Sequence, residues 1–191
     1  MARHELDSNL SLAILGLLSL SHMSGYDLRK VFRMTAMTAF SDSPGAIYPA
    51  LRRLEKDGLI EGAVERKNTL RPRQVFSLTR RGRAALVAFL ERPVTREDVV
   101  HRTDGLLLRF GFMGGLVDAD KTVAFLDAMA KETEGYLREL EAQLAETDAG
   151  FPFTGRAALE HGVDIYRTTT RWALRTLAGL KKKHSSKGGR K

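Results

Sequence analysis

The sequence predicts a mainly α fold with a small β-hairpin, divided into two domains. In residues 41–83, an amphipathic helix is followed by two short β segments that a basic turn connects. After residue 103 the pattern changes to long amphipathic helices without strands. A helix followed by a basic hairpin is typical of a winged helix-turn-helix domain at the N-terminus. The later helices carry more apolar surface than one chain needs, which predicts a C-terminal helical dimerization domain.

Charge is distributed unevenly along the 191 residues, which carry a formal net charge of +8. Residues 1–103 have a net charge of +6, residues 104–180 of −4, and residues 181–191 of +6. Basic surface attracts polyanions such as DNA, RNA or an anionic membrane, although a charged surface also serves solubility. The distribution therefore favours different partners for different parts of the chain.

Several classes of protein are disfavoured by what the sequence lacks. It has no cysteine, which excludes disulfides and thiolate metal sites and agrees with a cytoplasmic location. No apolar run is long enough to span a membrane, and the first residues do not resemble a secretory signal. The five histidines have no metal-ligand spacing, and neither a nucleophile elbow nor a phosphate-binding loop is present. We therefore expect no enzyme activity, no cofactor and no metal.

The N-terminal helices have clear start and stop signals. A helix that is apolar on most of its surface ends at residues 22–25, and Ser24 or Gly25 can cap the next helix, which runs through Tyr26 and Phe32. Ser43 can cap a third helix over residues 43–57, with Pro44 at its first position. Its apolar residues form one stripe, consisting of Ile47, Ala50, Leu51 and Leu54.

The hairpin and the following helix complete the first predicted domain, residues 1–92. Between Arg66 and Arg83 the chain has seven Lys or Arg residues and no Asp or Glu. A charge run is often only a solvated face, but a hairpin tip this basic favours contact with a nucleic-acid backbone. Residues 93–103 are predicted to be a hinge.

The second predicted domain, residues 104–180, contains a short buried helix or turn and two long amphipathic helices. The first long helix begins at Asp118 or Asp120, and the second covers about residues 156–180. The tail, residues 181–191, has no apolar residue and is predicted to be disordered.

At this point the sequence resembles the PadR-like family of bacterial transcriptional regulators. The most specific matching segment is SPGAIYPALRRLEKDGLI at 43–60. Five further segments match in family order: LAILGLLS at 12–19, SGYDL at 24–28, FSLTRRGRAAL at 76–86, GLLLRFGF at 105–112 and DIYRTTTRWAL at 164–174. The resemblance implies a homodimer that binds double-stranded DNA at an inverted-repeat operator, usually as a repressor that a small ligand can release.

The resemblance also implies which residues contact DNA. The helix over residues 43–57 would enter the major groove with its N-terminal end toward the duplex. The expected contacts from this helix are Ser43, Gly45, Tyr48, Arg52 and Arg53. The expected contacts from the hairpin are Lys67, Arg71 and Arg73. Two alternatives stay open, because Tyr48 can instead pack against the second helix and Arg52 can form a salt bridge with Glu55.

A small aromatic or hydrophobic effector is a further expectation from the resemblance. Trp172 and Tyr166 on the last helix are candidate ligand contacts, although packing in the core or in a dimer interface explains aromatic residues at these positions more simply. The alternative function is a protein-interaction module that uses the winged helix as a scaffold, since a fold does not determine a function.

Overall fold

The N-terminal unit of the computed structural model contains four helices around a small sheet. The structure describes residues 8–40, 43–65, 73–148 and 150–188, without the side chains of 38, 39 and 184–188. The chain divides into two units between residues 90 and 91. The first unit consists of α1 (Asn9–Leu20), β1 (Met23–Ser24), α2 (Gly25–Met34), a 3-10 helix (Ala36–Phe40), α3 (Pro44–Lys56), β2 (Ile60–Glu65), β3 (Arg73–Leu78) and α4 (Arg80–Leu90). The fold is mainly α with a small antiparallel sheet and a winged helix, as the sequence predicted.

Helix α1 forms the centre of this unit. Residues 11–18 are all buried, and the helix packs against α3, α4 and β3. A helix that is apolar on most of its surface needs burial on several sides, and the other elements of this unit provide that burial. The core continues through apolar side chains of the other elements, among them Leu28, Phe32, Ile47, Leu51, Leu54, Phe76, Leu86 and Leu90.

The sheet is larger than the predicted hairpin. Strands β2 and β3 pair antiparallel with Ile60 opposite Leu78, and β1 adds a third strand in the order β1-β3-β2. Met23 pairs with Phe76 in this arrangement. The sequence predicted only a break between two helices at β1, because a two-residue strand is too short to show a period.

The ends of α2 and α3 confirm the predicted signals. Ser24 caps α2 in a capping box with Asp27, and Ser43 caps α3 by accepting a hydrogen bond from the Ala46 amide at 3.2 Å. Gly58 has a φ of 67° and ends the turn after α3, since only glycine adopts that conformation without strain. Both helix starts therefore follow from local side-chain chemistry.

The described residues of the second unit form four helices. They are α5 (Arg96–His101), α6 (Thr103–Met113), α7 (Ala119–Ala145) and α8 (Phe153–Gly188). Helices α7 and α8 form an antiparallel hairpin, with Tyr166 against Tyr136 and Arg167 bound to Glu141. Helices α5 and α6 pack on α7. No helix within the described residues is long and apolar enough to cross a membrane.

Two segments differ from the sequence-based expectation. The predicted hinge at residues 93–103 contains α5, because Thr95 and Asp98 form a capping box that starts a helix. The prediction of a disordered tail is wrong for residues 181–188, which continue α8. Adding residues to an existing helix is easier than starting one, and lysine is a good helix former. Residues 189–191 lie outside the described part.

A buried arginine fastens α5 within the second unit. Arg109 on α6 is 5% exposed, donates to the carbonyl oxygen of Arg92 and lies 4.0 Å from an Asp98 carboxylate oxygen. Its guanidinium carbon lies 4.9 Å from the ring centre of Phe125. Burial lowers the pKa of Arg109 to about 10, against the opposing effect of Asp98, so the side chain stays charged at neutral pH.

Candidate nucleic-acid interface

The N-terminal end of α3 is open to solvent. Ser43, Pro44 and Gly45 are exposed, and a Cβ atom at position 45 would meet no atom closer than Ser43 Oγ at 4.0 Å. Packing therefore does not require glycine at this position, whereas a small residue leaves room for a ligand. Amides in the first turn of a helix, together with the helix dipole, favour a phosphate group.

The two faces of α3 differ sharply in chemistry. The stripe Ile47, Ala50, Leu51 and Leu54 is buried, as predicted, while Tyr48, Arg52, Arg53 and Lys56 are exposed. Among the described residues, Arg52 and Arg53 have no ion-pair partner. The alternative of a salt bridge between Arg52 and Glu55 is not realised, since the Glu55 carboxylate accepts hydrogen bonds from β2 and β3. Both guanidinium groups are accordingly available to an anionic ligand.

Tyr48 packs against α2 and keeps an exposed surface. A Cβ atom at Gly25 would lie 2.6 Å from Tyr48 Cε1, so one edge of the ring rests on the first residue of α2. The residue is still 40% exposed, which leaves the other side of the ring accessible. Packing against α2 therefore orients Tyr48 without burying it.

Of the three predicted hairpin contacts, the structure describes one. Lys67 and Arg71 lie in residues 66–72, outside the described part. Arg73 begins β3, and its guanidinium binds Glu65 on the paired strand at 3.0 Å and lies 3.7 Å from the Asp27 carboxylate of α2. Its side chain is 54% exposed. Arg73 therefore fastens the base of the hairpin to α2 while keeping an accessible surface.

Asp27 is the acidic partner on the α2 side. Partial burial by itself raises the pKa of Asp27, but hydrogen bonds from the Ser24 hydroxyl and amide outweigh it. The nearby charges of Arg73 and Lys30 act in the same direction as these bonds, so the pKa lies below its ordinary value. The carboxylate is thus ionised at neutral pH and supports both the helix cap and the arginine.

A concave pocket of about 340 Å³ lies where the start of α2, α3 and β3 meet. It is lined by Ser24, Gly25, Tyr26, Tyr48, Arg73, Gln74 and Phe76. Tyrosine hydroxyls, an amide side chain and a guanidinium are groups that hydrogen-bond to phosphate and sugar oxygens. The pocket brings together two predicted site residues, Tyr48 and Arg73, that are far apart in sequence.

Sequence reasoning missed two residues of this surface. Tyr26 was grouped with the apolar residues of α2, but it is 68% exposed because it lies off the stripe made by Leu28 and Phe32. The i, i+4 spacing of those two residues was a signal that separates Tyr26 from the core. Gln74 also lines the pocket, and no sequence pattern marks it.

The candidate ligand contacts, Trp172 and Tyr166, belong to the second unit. Trp172 packs edge-on against Phe110, with ring centres 5.5 Å apart. The Tyr166 hydroxyl donates to the Val99 carbonyl oxygen at 2.9 Å. The Tyr166 hydroxyl therefore has a hydrogen-bond partner within the second unit, while the Trp172 side chain is partly exposed. Among the described residues, no cluster of three or more acidic or histidine side chains is arranged to hold a metal ion.

Comparison with known proteins agrees with this architecture. The family model for the transcriptional regulator PadR-like family matches residues 14–88. Residues 14–88 belong to the PadR-like family. This PadR-like segment extends from α1 into α4 and includes α3 and the hairpin, which confirms the resemblance predicted from the sequence.

A relative of known function supports the assignment of the PadR-like segment. The chain is 29% identical over 122 residues to the negative transcriptional regulator PadR of Bacillus subtilis (strain 168). The match covers 64% of this chain and 66% of that relative, just under two thirds of its length.

Solved structures of PadR-like proteins also align with this chain. Bacillus subtilis PadR in complex with operator DNA is 22% identical, with 90% of this chain and 98% of that chain covered and a TM-score of 0.42. The PadR-like regulator BC1756 of Bacillus cereus is 27% identical, with 92% and 99% covered and a TM-score of 0.40. Bacillus subtilis PadR has also been solved in complex with p-coumaric acid, at 21% identity, with 90% and 95% covered and a TM-score of 0.38.

Proposed function

We propose that this protein is a sequence-specific DNA-binding transcriptional regulator, acting in the cytoplasm as a homodimeric repressor. The observation that carries the proposal is the exposed face of α3. It presents Tyr48, Arg52 and Arg53 opposite a fully buried stripe, on a helix whose capped N-terminal end is open. Guanidinium groups that have no ion-pair partner in the described part of the chain are suited to bind guanine edges or phosphates in a major groove.

Each part of the surface has a distinct role in this proposal. Ser43 and Gly45 bring the first turn of α3 against a phosphate, while the side chains of Tyr48, Arg52 and Arg53 reach the groove. The hairpin residues Lys67, Arg71 and Arg73 follow the DNA backbone beside it. The pocket between α2 and the hairpin receives the backbone segment that connects these two contacts.

Exposed apolar side chains of the second unit support the homodimer. Among the described residues of this unit, five are at least 40% exposed: Leu107, Phe151, Phe153, Ile165 and Leu174. A second copy of the chain can cover such residues, with residues 104–180 acting as the dimerization domain and 93–103 as its connection to the DNA-binding domain 1–92. Two-fold symmetry would place two α3 helices on an inverted repeat.

Repression of transcription and release from DNA by a ligand complete the proposal. The relative from Bacillus subtilis is named a negative regulator, which supports repression. A small aromatic or hydrophobic effector would bind in the second unit near Trp172, whose ring forms a T-shaped pair with Phe110 and stays partly exposed. Tyr166 would contribute its ring to such a site, since its hydroxyl is engaged with Val99.

Selection of bound DNA from a random library at near-physiological salt tests the proposal. We expect enrichment of an inverted repeat, bound with a log-log salt slope of about −5 to −9 for six to ten phosphate contacts. Arg52→Ala and Arg53→Ala should each weaken binding, whereas Arg138→Ala in the second unit is a charge-matched control and should not. Absence of any binding would refute the proposal and favour the protein-interaction module. Binding without enrichment would refute sequence specificity.

A further inference from the structure

One acidic residue occurs on α3, and its position is unexpected for a helix proposed to face DNA. Glu55 lies in the segment between Arg53 and Lys56, and no other Asp or Glu occurs in α3. A carboxylate near phosphates repels them and lowers affinity. The residue is half-buried, in contrast to its exposed basic neighbours. We therefore expect Glu55 to make a favourable interaction that offsets its repulsion of phosphates.

That interaction joins α3 to both strands of the hairpin. Glu55 Oε1 accepts a hydrogen bond from the Gly62 amide of β2 at 3.0 Å and another from Gln74 Nε2 of β3 at 3.4 Å. Strand β2 is at the edge of the sheet, where amides have no further strand to pair with. The carboxylate thus satisfies an edge amide and bridges two elements.

Glycine at position 62 makes this contact possible. A Cβ atom there would lie 2.7 Å from Glu55 Oε1 and 2.3 Å from Gln74 Nε2. Both atoms are at the ends of flexible side chains, so a methyl group would displace them rather than the backbone. Gly62→Ala should therefore release the contact and leave the fold intact.

We propose that Glu55 is a positioning residue, which holds the hairpin at a fixed orientation to α3 so that both bind the same DNA segment. The inference rests on the proposed DNA-binding function. The clamp formed by Arg73, Glu65 and Asp27 fastens the other side of the hairpin to α2. With both clamps in place, the described base of the hairpin is fixed on two helices.

The test compares Glu55→Ala with Glu55→Gln on the selected operator. If Glu55 acted only through its charge, both variants would bind more tightly than the wild type. A positioning role predicts that the two variants differ from each other in affinity. Glu55→Ala should bind roughly ten-fold more weakly, because a charge-assisted hydrogen bond is lost. Glu55→Gln should bind at least as tightly as the wild type, because its amide oxygen still accepts from Gly62 without a negative charge.

The salt dependence gives a second readout. Loss of the hairpin contacts in Glu55→Ala and Gly62→Ala should reduce the log-log slope by about 0.9 for each phosphate lost. Glu61→Ala is the matched control, since it removes a β2 carboxylate whose partner, the Ser77 hydroxyl, lies in the same hairpin. It should keep the wild-type slope.

Amide hydrogen exchange at Gly62 tests the contact without DNA. Exchange should accelerate on the order of ten-fold in Glu55→Ala and stay near the wild-type rate in Glu55→Gln. Unchanged exchange in Glu55→Ala, or equal or tighter DNA binding by both Glu55 variants, would overturn the proposal. If the wild type binds no DNA, the proposed function fails, whereas the exchange measurement still decides whether Glu55 holds the hairpin.

Discussion

Among the described glycines, Gly82 has the least room for a side chain. Helix α4 passes so close to the chain after α3 that a Cβ atom on Gly82 would lie 1.9 Å from the Leu59 carbonyl oxygen and 2.8 Å from its carbon. Reaching a separation of 3.0 Å from that oxygen requires a movement of 1.1 Å. The atoms are backbone, so no side-chain rotation relieves the clash.

Gly82→Ala should consequently destabilise the protein. Moving α4 away strains the hydrogen bonds that Leu59 O accepts from the Thr79 amide and hydroxyl, each at 3.1 Å. Overpacking costs about 1–3 kcal/mol and each lost hydrogen bond about 1 kcal/mol, so we expect a loss of roughly 3–5 kcal/mol. For a chain of this length, 3 kcal/mol corresponds to a fall in Tm of roughly 6–12 °C.

Thermal unfolding followed by far-UV circular dichroism measures this effect. Gly135→Ala is the control, because a Cβ atom at that position of α7 meets nothing within 4 Å. Replacing a glycine inside a helix by alanine should there be neutral or stabilise by about 0.5–1 kcal/mol. A Gly82→Ala variant with the wild-type Tm would refute the close approach of α4 to Leu59.

Three other substitutions have predictable effects. Ser43→Ala removes the cap of α3 and should reduce the unfolding free energy by about 1 kcal/mol, measured by urea denaturation, while Ser43→Gly should cost only a few tenths. Because the pKa of Asp27 is lowered in the folded state, its contribution to stability is present above about pH 4 and is lost as pH falls through the folded pKa. An Asp27→Asn variant should then show a shallower acid-induced loss of Tm, and an unchanged acid limb would contradict this. Tyr166→Phe removes the hydrogen bond to Val99 and should cost about 0.5–1.5 kcal/mol, detected in the unfolding transition of Trp172 fluorescence.

Much of the N-terminal unit was predictable because its signals are local. A capping serine, a proline at the first helical position and an apolar stripe at helical spacing specified α3 without tertiary information. The hairpin was predicted as two short β segments, and each strand covers six residues. Strand β1 was missed, since its pairing with Phe76 and Val75 depends on residues about 50 positions away.

The sequence predicted which residues of the candidate site are exposed, but it did not predict which residues they contact. The exposure of Arg52 and Arg53 followed from their position off the apolar stripe. The partners of Glu55 and Arg73 did not, because both pairs form only when α2, α3 and the hairpin pack together. The length of α8 was underestimated for another reason, since the absence of apolar residues after Leu180 was interpreted as disorder.

The uninterrupted course of α8 restricts how its length can change. Its buried positions, Val163, Thr170, Ala173 and Leu177, occupy one side over several turns. Insertion of a single residue within that stretch would rotate everything after it by about 100°, which would turn the following buried positions toward solvent. Relatives of this protein should therefore vary in length before Phe153 or after Leu177. Insertions between those residues should have lengths that return the following buried positions to the same side of the helix.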